Sequence, residues 1–193
     1  SFQSHKITDK VSNARTVQAA DIDNDGDIDI VAGGRTQIVL LENKGKNNFI
    51  MHEIMNPNDS EVSQVFIKDL DGDSDQDIVA ARQMKNDFVW YENVESNNFI
   101  EHILFDNAKG AHDIFAIDLD QDLDLDLVSA SFADHTIAWY ENDGSQRFTK
   151  HIITTSAYNT NSVYAVDLDK DGDIDVLSDS AEMDAIIWYE NNG

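Results

Sequence analysis

Five aspartates alternate through nine residues at 21–29, and the same arrangement returns at 69–77, 118–126 and 167–175. Carboxylates crowded like this repel one another, so the spacing makes sense only around a cation. Oxygen-only donors at this density suit a hard divalent ion, calcium above all. The alternation therefore announces a cation site, and its recurrence announces an architecture.

The first aspartates fall at Asp21, Asp69, Asp118 and Asp167, in steps of 48, 49 and 49 residues. A second marker keeps the same period: Leu40-Leu41-Glu42-Asn43, then Trp90-Tyr91-Glu92-Asn93, Trp139-Tyr140-Glu141-Asn142 and Trp188-Tyr189-Glu190-Asn191. A third is Phe followed three residues later by His, at Phe49/His52, Phe99/His102 and Phe148/His151, and once more at Phe2/His5. Periods of this size indicate propellers, solenoids or arrays.

Each unit reads as four short strands. The first enters the acidic loop (17–20, 65–68, 114–117, 163–166) and the second leaves it (30–32, 78–80, 127–129, 176–178). The third carries the Trp-Tyr-Glu-Asn block and the fourth carries Phe-x-x-His. β-Branched and aromatic residues fill the runs, Gly, Asn and Asp separate them, and the chain has one proline. The inner strands are apolar on both faces, which predicts sheets packed face to face. Four-stranded sheets stacked around an axis make a β-propeller. The expected fold is all-β, a four-bladed β-propeller in one domain, with blades at about 14–54, 62–104, 111–153 and 160–193 plus 1–8. The last of these joins both chain ends: the sequence stops after Trp188-Tyr-Glu-Asn-Asn-Gly193, where a fourth strand is due, and begins with Phe2–Ile7, which has that strand's pattern. The expectation is that the N-terminal strand closes the last blade, with an open fragment of a longer array or a dimeric eight-blade ring as the alternatives.

The repeated aspartate loop with its downstream Trp-Tyr-Glu-Asn and Phe-x-x-His resembles the FG-GAP/VCBS repeats of calcium-binding β-propellers, the group that includes the integrin α-subunit head. EF-hands share the Asp-x-Asp-x-Asp-Gly start, but they need a bidentate Glu at loop position 12. Here Ala32, Ala80, Ser129 and Ser178 stand there. The resemblance implies up to four Ca²⁺, one per blade, bound by side chains at positions 1, 3, 5 and 9 and the carbonyl of position 7. In blade one these are Asp21, Asp23, Asp25 and Asp29 with Asp27; in blade two Asp69, Asp71, Asp73 and Asp77 with Asp75. In blade three they are Asp118, Asp120, Asp122 and Asp126 with Asp124; in blade four Asp167, Asp169, Asp171 and Asp175 with Asp173. Gly26 and Gly172 occupy position 6 in the outer blades, while Ser74 and Leu123 replace glycine in the middle two. If the turn is left-handed there, a side chain costs about 1–2 kcal/mol, which ranks the third site weakest.

Charge supports the same reading. The net charge is −25, yet twenty of the 38 acidic residues lie in the four loops, and outside them the balance is only −5. No Lys/Arg face is available for a phosphate backbone, so nucleic acid is disfavoured as a partner. No apolar run is long enough for membrane insertion. Cysteine is absent, which excludes disulfides and thiolate metal sites. Calcium itself points to an extracellular or cell-surface setting, where weak sites suffice.

The calcium is expected to fasten each turn. Trp90, Trp139 and Trp188 are expected to pack between blades, and the repeated histidines to be structural. Recognition then falls to the loops that do not repeat, among them 56–64, 82–85, 106–113, 132–135 and 158–162. Arg15, Arg82, His112, Asp113, Phe132, His135 and Asn161 are the candidate ligand-binding residues there. The expected function is a non-catalytic, secreted module that binds a polysaccharide or an extracellular protein, as monomer or homodimer. The alternatives are a lyase or hydrolase domain acting on polysaccharide, or a structural or oligomerisation propeller. An enzyme of that kind needs two converging carboxylates, and Asp113 is the one acidic residue near the expected channel mouth.

Overall fold

The computed structural model describes residues 1–46, 48–55, 61–95 and 98–193. Among the described residues the fold is all-β apart from one short 3₁₀ turn, Ala181–Met183. The first sheet contains β1 (Thr16–Ala20), β2 (Asp29–Gly33), β3 (Ile38–Asn43) and β4 (Phe49–Met55). The second contains β5 (Val62–Lys68), β6 (Asp77–Arg82), β7 (Asp87–Glu95) and β8 (Asn98–Phe105). The third contains β9 (Ala111–Ile117), β10 (Asp126–Ser131), β11 (Thr136–Asn142) and β12 (Phe148–Thr154). The fourth contains β13 (Val163–Val166), β14 (Asp175–Ser180) and β15 (Ala185–Tyr189). Every sheet is an antiparallel meander in chain order. Each acidic loop thus joins the first strand of a sheet to the second.

The sheets stack face to face as blades of a propeller, and the core lies between them in three layers. Ile22, Val31, Ile38 and Leu40 of the first blade meet Val62, Val65 and Ile78 of the second. Val79, Phe88 and Trp90 of the second meet Ile114, Leu127 and Tyr140 of the third. Val128, Ala130 and Ile137 of the third meet Val163, Ala165 and Val176 of the fourth. The second and third strands of the first three blades are largely buried on both sides, so they read in the sequence as near-continuous apolar runs.

Polar side chains at one repeated position tie the innermost strands together. Thr16 Oγ1 donates to Gln64 Oε1 at 2.5 Å. Asp113 Oδ2 accepts from Ser162 Oγ at 3.1 Å and from the Val163 amide at 2.9 Å. Gln64 also hydrogen-bonds Asp113, so the chain Thr16, Gln64, Asp113, Ser162 crosses all four blades.

One expectation fails. Residues 1–8 form no strand, and the fourth sheet has three strands. His5–Asp9 and Val11 instead line a groove against Thr16, Val17, Ile30, Ala32 and Leu41 of the first blade. Val11 packs there against the cluster of Ala32, Val39 and Leu41. The Phe-x-x-His pattern supplies a strand-forming segment, but pairing needs an edge within reach, and the first blade lies closer in the chain. Among the described residues no helix is long and apolar enough to cross a membrane.

Candidate functional site

The acidic loops are built alike, from their own backbone upward. Position 1 is a carboxylate that accepts amides across the turn: Asp21 Oδ2 takes Gly26 N–H at 3.0 Å, Asp69 Oδ2 takes Ser74 at 3.0 Å, and Asp118 Oδ2 takes Leu123 at 3.1 Å. Position 3 accepts the amide of position 5, at 3.2–3.3 Å in all four loops. Position 5 accepts the amide of position 7 at 2.8–2.9 Å. These local bonds curl the backbone so that alternate carboxylates converge.

Position 9 anchors the curl to the sheet. Asp29, Asp77, Asp126 and Asp175 are almost fully buried, at 0%, 1%, 0% and 0% exposure. One oxygen accepts the amide of position 2 at 3.0 Å in every loop. The other accepts the amide of the Asn that ends the Trp-Tyr-Glu-Asn block, at 2.7–2.8 Å. The side-chain amide of that same Asn donates to the carbonyl of position 8. The second marker in the sequence is thus the strap that holds the first.

Two positions of the loop are left-handed. At position 6, φ is 91° for Gly26, 81° for Ser74, 81° for Leu123 and 105° for Gly172. At position 4, Asn24, Gly72, Gln121 and Lys170 also have φ between 58° and 78°. The left-handed turn expected at position 6 is therefore present. The one at position 4 escaped the sequence reading; Gly72 alone among non-glycine equivalents was its signal. Position 4 also reaches forward. Asn24 Nδ2 donates to Asp75 Oδ1 at 2.8 Å, and Gln121 Nε2 donates to the Gly172 carbonyl. The first loop is thereby linked to the second, and the third to the fourth.

Each loop gathers three carboxylates whose oxygens lie within 4.8 Å of one another. The trios are Asp21/Asp23/Asp29, Asp69/Asp71/Asp77 and Asp167/Asp169/Asp175, whereas the third loop gathers Asp118/Asp120/Asp122. Asp118 Oδ1 is buried without a hydrogen-bond partner among the described residues. Its counterparts on Asp21, Asp69 and Asp167 each accept an amide N–H. An orphaned, buried carboxylate oxygen inside an all-oxygen trio is a donor set that fits a hard cation. The side chains at position 7 face away from the trios. Asp124 and Asp173 lie against Gly144 and Gly193, and a Cβ on Gly144 would stand 2.5 Å from Asp124 Oδ2.

The electrostatics agree. Asp23, Asp71, Asp120 and Asp169 all have raised pKa values, from burial first and then from the carboxylates around them. Burial lifts Asp77 furthest, to about 6, and the two amides from Asn93 and Leu70 only partly offset it. Beside each of three loops stands a Glu–His pair: His52–Glu42 at 2.8 Å, His102–Glu92 at 2.6 Å and His151–Glu141 at 2.7 Å. His102 and His151 also stack on Trp90 and Trp139, with ring centroids 4.7 and 4.6 Å apart. The repeated histidines and these two tryptophans are parts of the scaffold.

A model of the FG-GAP-like repeat matches residues 21–80, 69–129 and 118–178. The chain belongs to this family. Each match begins at the first aspartate of one loop and runs past the acidic loop of the next blade, so the family's unit is the one the loops define. No curated protein matches this FG-GAP-like chain. Among solved structures it is similar to one titled as the specific recognition of non-reducing terminal N-acetylglucosamine by an Agrocybe aegerita lectin. That similarity has a TM-score of 0.60 at 20% identity and covers 84% of this chain. This chain spans 46% of the lectin chain's length.

The seven residues proposed for ligand binding divide on inspection. Arg82 is not on an open loop: it ends β6, is 1% exposed, and forms a bidentate pair with Asp87 at 2.7 and 2.6 Å. Its remaining nitrogen meets Glu101 at 3.1 Å and the Tyr91 hydroxyl at 3.3 Å. Asp113 is buried in the inter-blade chain described above. Arg15 pairs with Glu61. His135 has φ of 58° and its Nδ1 accepts the Asn159 amide at 3.2 Å, a role Asn86 plays for Gly110 one blade earlier. His112, Phe132 and Asn161 do come together: His112 Nδ1 lies 2.8 Å from the Asn161 carbonyl, and its ring lies 6.4 Å from Phe132. Of the variable loop at 56–64, residues 56–60 lie outside the described residues.

Proposed function

We propose that this FG-GAP-like chain is an extracellular, calcium-binding and non-catalytic propeller module. Its four acidic loops each hold one Ca²⁺, and its opposite face, with His112, Phe132 and Asn161, binds carbohydrate. The observation that carries the calcium reading is the fourfold convergence of three carboxylates within 4.8 Å on loops strapped to a buried frame. When bound, the ion neutralises the carboxylates and couples the loop's closure to folding. The residues that would hold it are the trios, with the remaining aspartates at positions 5 and 9 and the carbonyl of position 7 completing the set. The frame does the positioning: position 9 is already fixed by two amides and the Asn strap.

Support for carbohydrate comes from the lectin whose fold this chain shares. The protein-ligand alternative uses the same face. An enzymatic reading loses its one candidate acid, because Asp113 already accepts from Ser162, Val163 and its own neighbour Ile114.

Calorimetric titration of calcium-free protein tests the first half. Saturation near four ions per chain, with a rise in the thermal midpoint, is expected. No heat and no shift at millimolar calcium would reject it. A glycan array in calcium tests the second half, with Phe132→Ala and His112→Ala as controls that weaken capture without lowering the thermal midpoint.

A further inference from the structure

The first acidic loop differs from the others in the side chain that stands beside it. Lys44 follows Asn43, the strap residue of the first blade, and its ammonium lies 3.5 Å from Asp23 Oδ2 and 3.9 Å from Asp25 Oδ2. The same ammonium pairs with Glu42. Asp23 and Asp25 are positions 3 and 5 of the loop, two of the side chains that would hold the ion. The backbone fixes this placement. Asp29 accepts the Asn43 amide at 2.7 Å, and the Lys44 amide donates to the Asn48 carbonyl at 2.8 Å. The stem of Lys44 therefore leaves the turn between β3 and β4 at a set point next to the loop.

The second and third blades have no such group. Val94 and Asp143 follow their strap residues, Asn93 and Asn142. Among the described residues, no other lysine or arginine pairs with a carboxylate of the acidic loops. What the ammonium does follows from the charges around it. The side chains of Asp23 and Glu42 are both 9% exposed, and their carboxyl groups lie within hydrogen-bonding reach of each other. Two acids so close and so poorly hydrated need a counter-charge. Lys44 supplies one from within the chain. Its own side chain is 39% exposed, so it has room to swing into solvent. The oxygens of Asp23 and Asp25 cannot serve two cations at once, so Lys44 has to leave before they can bind a divalent ion.

We propose that Lys44 is a tethered cation for the first acidic loop: it neutralises Asp23, Asp25 and Glu42 in the calcium-free fold and competes with calcium for the same oxygens. The competition rests on the calcium reading given above. The first loop is then fastened with or without the ion, and it binds calcium less tightly than its carboxylates alone would allow. The other three loops have no internal substitute and depend on the ion for their closure.

Lys44→Met removes the charge and keeps most of the stem. In calcium titrations one of the four sites is expected to tighten by about three- to tenfold, since an exposed ammonium–carboxylate pair is worth up to about fivefold and Lys44 makes more than one. Lys44→Arg keeps the charge and should stay close to wild type. In calcium-free protein Lys44→Met should lower the thermal midpoint, and sodium chloride should narrow the gap as it screens the carboxylates. A role for Lys44 in packing alone would leave that gap independent of salt, and would overturn the proposal. Asp25→Asn removes a donor of the first loop, and in that background Lys44→Met should leave the remaining sites unchanged. A gain in affinity that persists there would mean that Lys44 acts on every loop through net charge, which also overturns it. Four sites left unchanged by Lys44→Met would reject the competition alone, whereas no calcium binding in any variant would reject the calcium reading and the competition with it.

Discussion

At position 9 of each acidic loop the carboxylate is buried and both oxygens are taken by amides, whereas position 7 is exposed or half-exposed and faces outward. The two aspartates are indistinguishable in the sequence pattern but not in the fold. Asp77→Asn turns one acceptor into an NH₂ group aimed at an amide N–H, and leaving that buried donor unpaired costs about 1–3 kcal/mol. Asp75→Asn keeps an oxygen for Asn24 and should fall within about 0.5 kcal/mol of wild type. Urea denaturation in calcium compares the two, and equal losses would mean that position 9 is not the anchor. A second contrast concerns Leu123, which holds φ of 81° and is 90% exposed. Its side chain makes no buried contact that offsets the strained backbone. Leu123→Gly should therefore stabilise by about 1 kcal/mol and tighten the third calcium site. Unchanged stability and unchanged affinity together would remove the case for ranking that site weakest.

Strand pairing decided which sequence readings survived. The acidic loop, the Trp-Tyr-Glu-Asn block and Phe-x-x-His were legible because each recurs at a fixed period and each binds to another: position 9 to Asn, Glu to His, Trp to His. Of the loops, the alternation of carboxylates was legible, but not that three loops gather positions 1, 3 and 9 while the third gathers 1, 3 and 5, nor the left-handed position 4, where Asn24, Gln121 and Lys170 disguise a turn that only Gly72 betrays. Arg82 was misread for a different reason. It lies at the border between a repeating strand and a variable loop, and one residue of register turns a side chain from one face of a sheet to the other. The register places Arg82 opposite Asp87 and directs it inward onto Asp87, Glu101 and Tyr91. Arg82→Leu leaves Asp87 buried without its partner, which should cost about 3–5 kcal/mol while carbohydrate capture per folded molecule stays the same. A near-neutral change in denaturation would show that the network is dispensable. The N-terminal segment was the other limit: its pattern names the kind of strand it can form, but not which edge it meets.

Across the molecule, Asn24 ties the first acidic loop to the second and Gln121 ties the third to the fourth, while burial, and then the carboxylates within each loop acting on one another, raise pKa values there. Calcium that binds only the folded chain stabilises it by about 2.7 kcal/mol per site at a hundredfold excess over the dissociation constant. Proton linkage gives this a direction that can be checked. Asp77 has an ordinary value of 3.8 and a folded value raised to about 6 by burial, and Asp23, Asp71, Asp120 and Asp169 are shifted the same way. A raised folded value means that the calcium-free fold holds protons the unfolded chain does not. The resulting stability is full below pH 3.8 and is lost as pH rises through about 6 for Asp77. Calcium takes the place of those protons, so its contribution grows over the same interval. Other groups oppose the trend: Glu42 is held down to about 2, chiefly by its ion pair with Lys44. Lys44 also reaches Asp23 and Asp25 in the first loop, and Asp175 of the fourth trio, against its burial, is held low by the Asn191 and Leu168 amides, so the second loop, where Asp77 sits, carries the trend. The thermal midpoint difference between calcium-loaded and calcium-free protein should therefore widen steadily between the ordinary and the folded values of Asp77. A difference that stays constant across that interval would mean that the carboxylates which converge in the loops are not the groups that bind the ion.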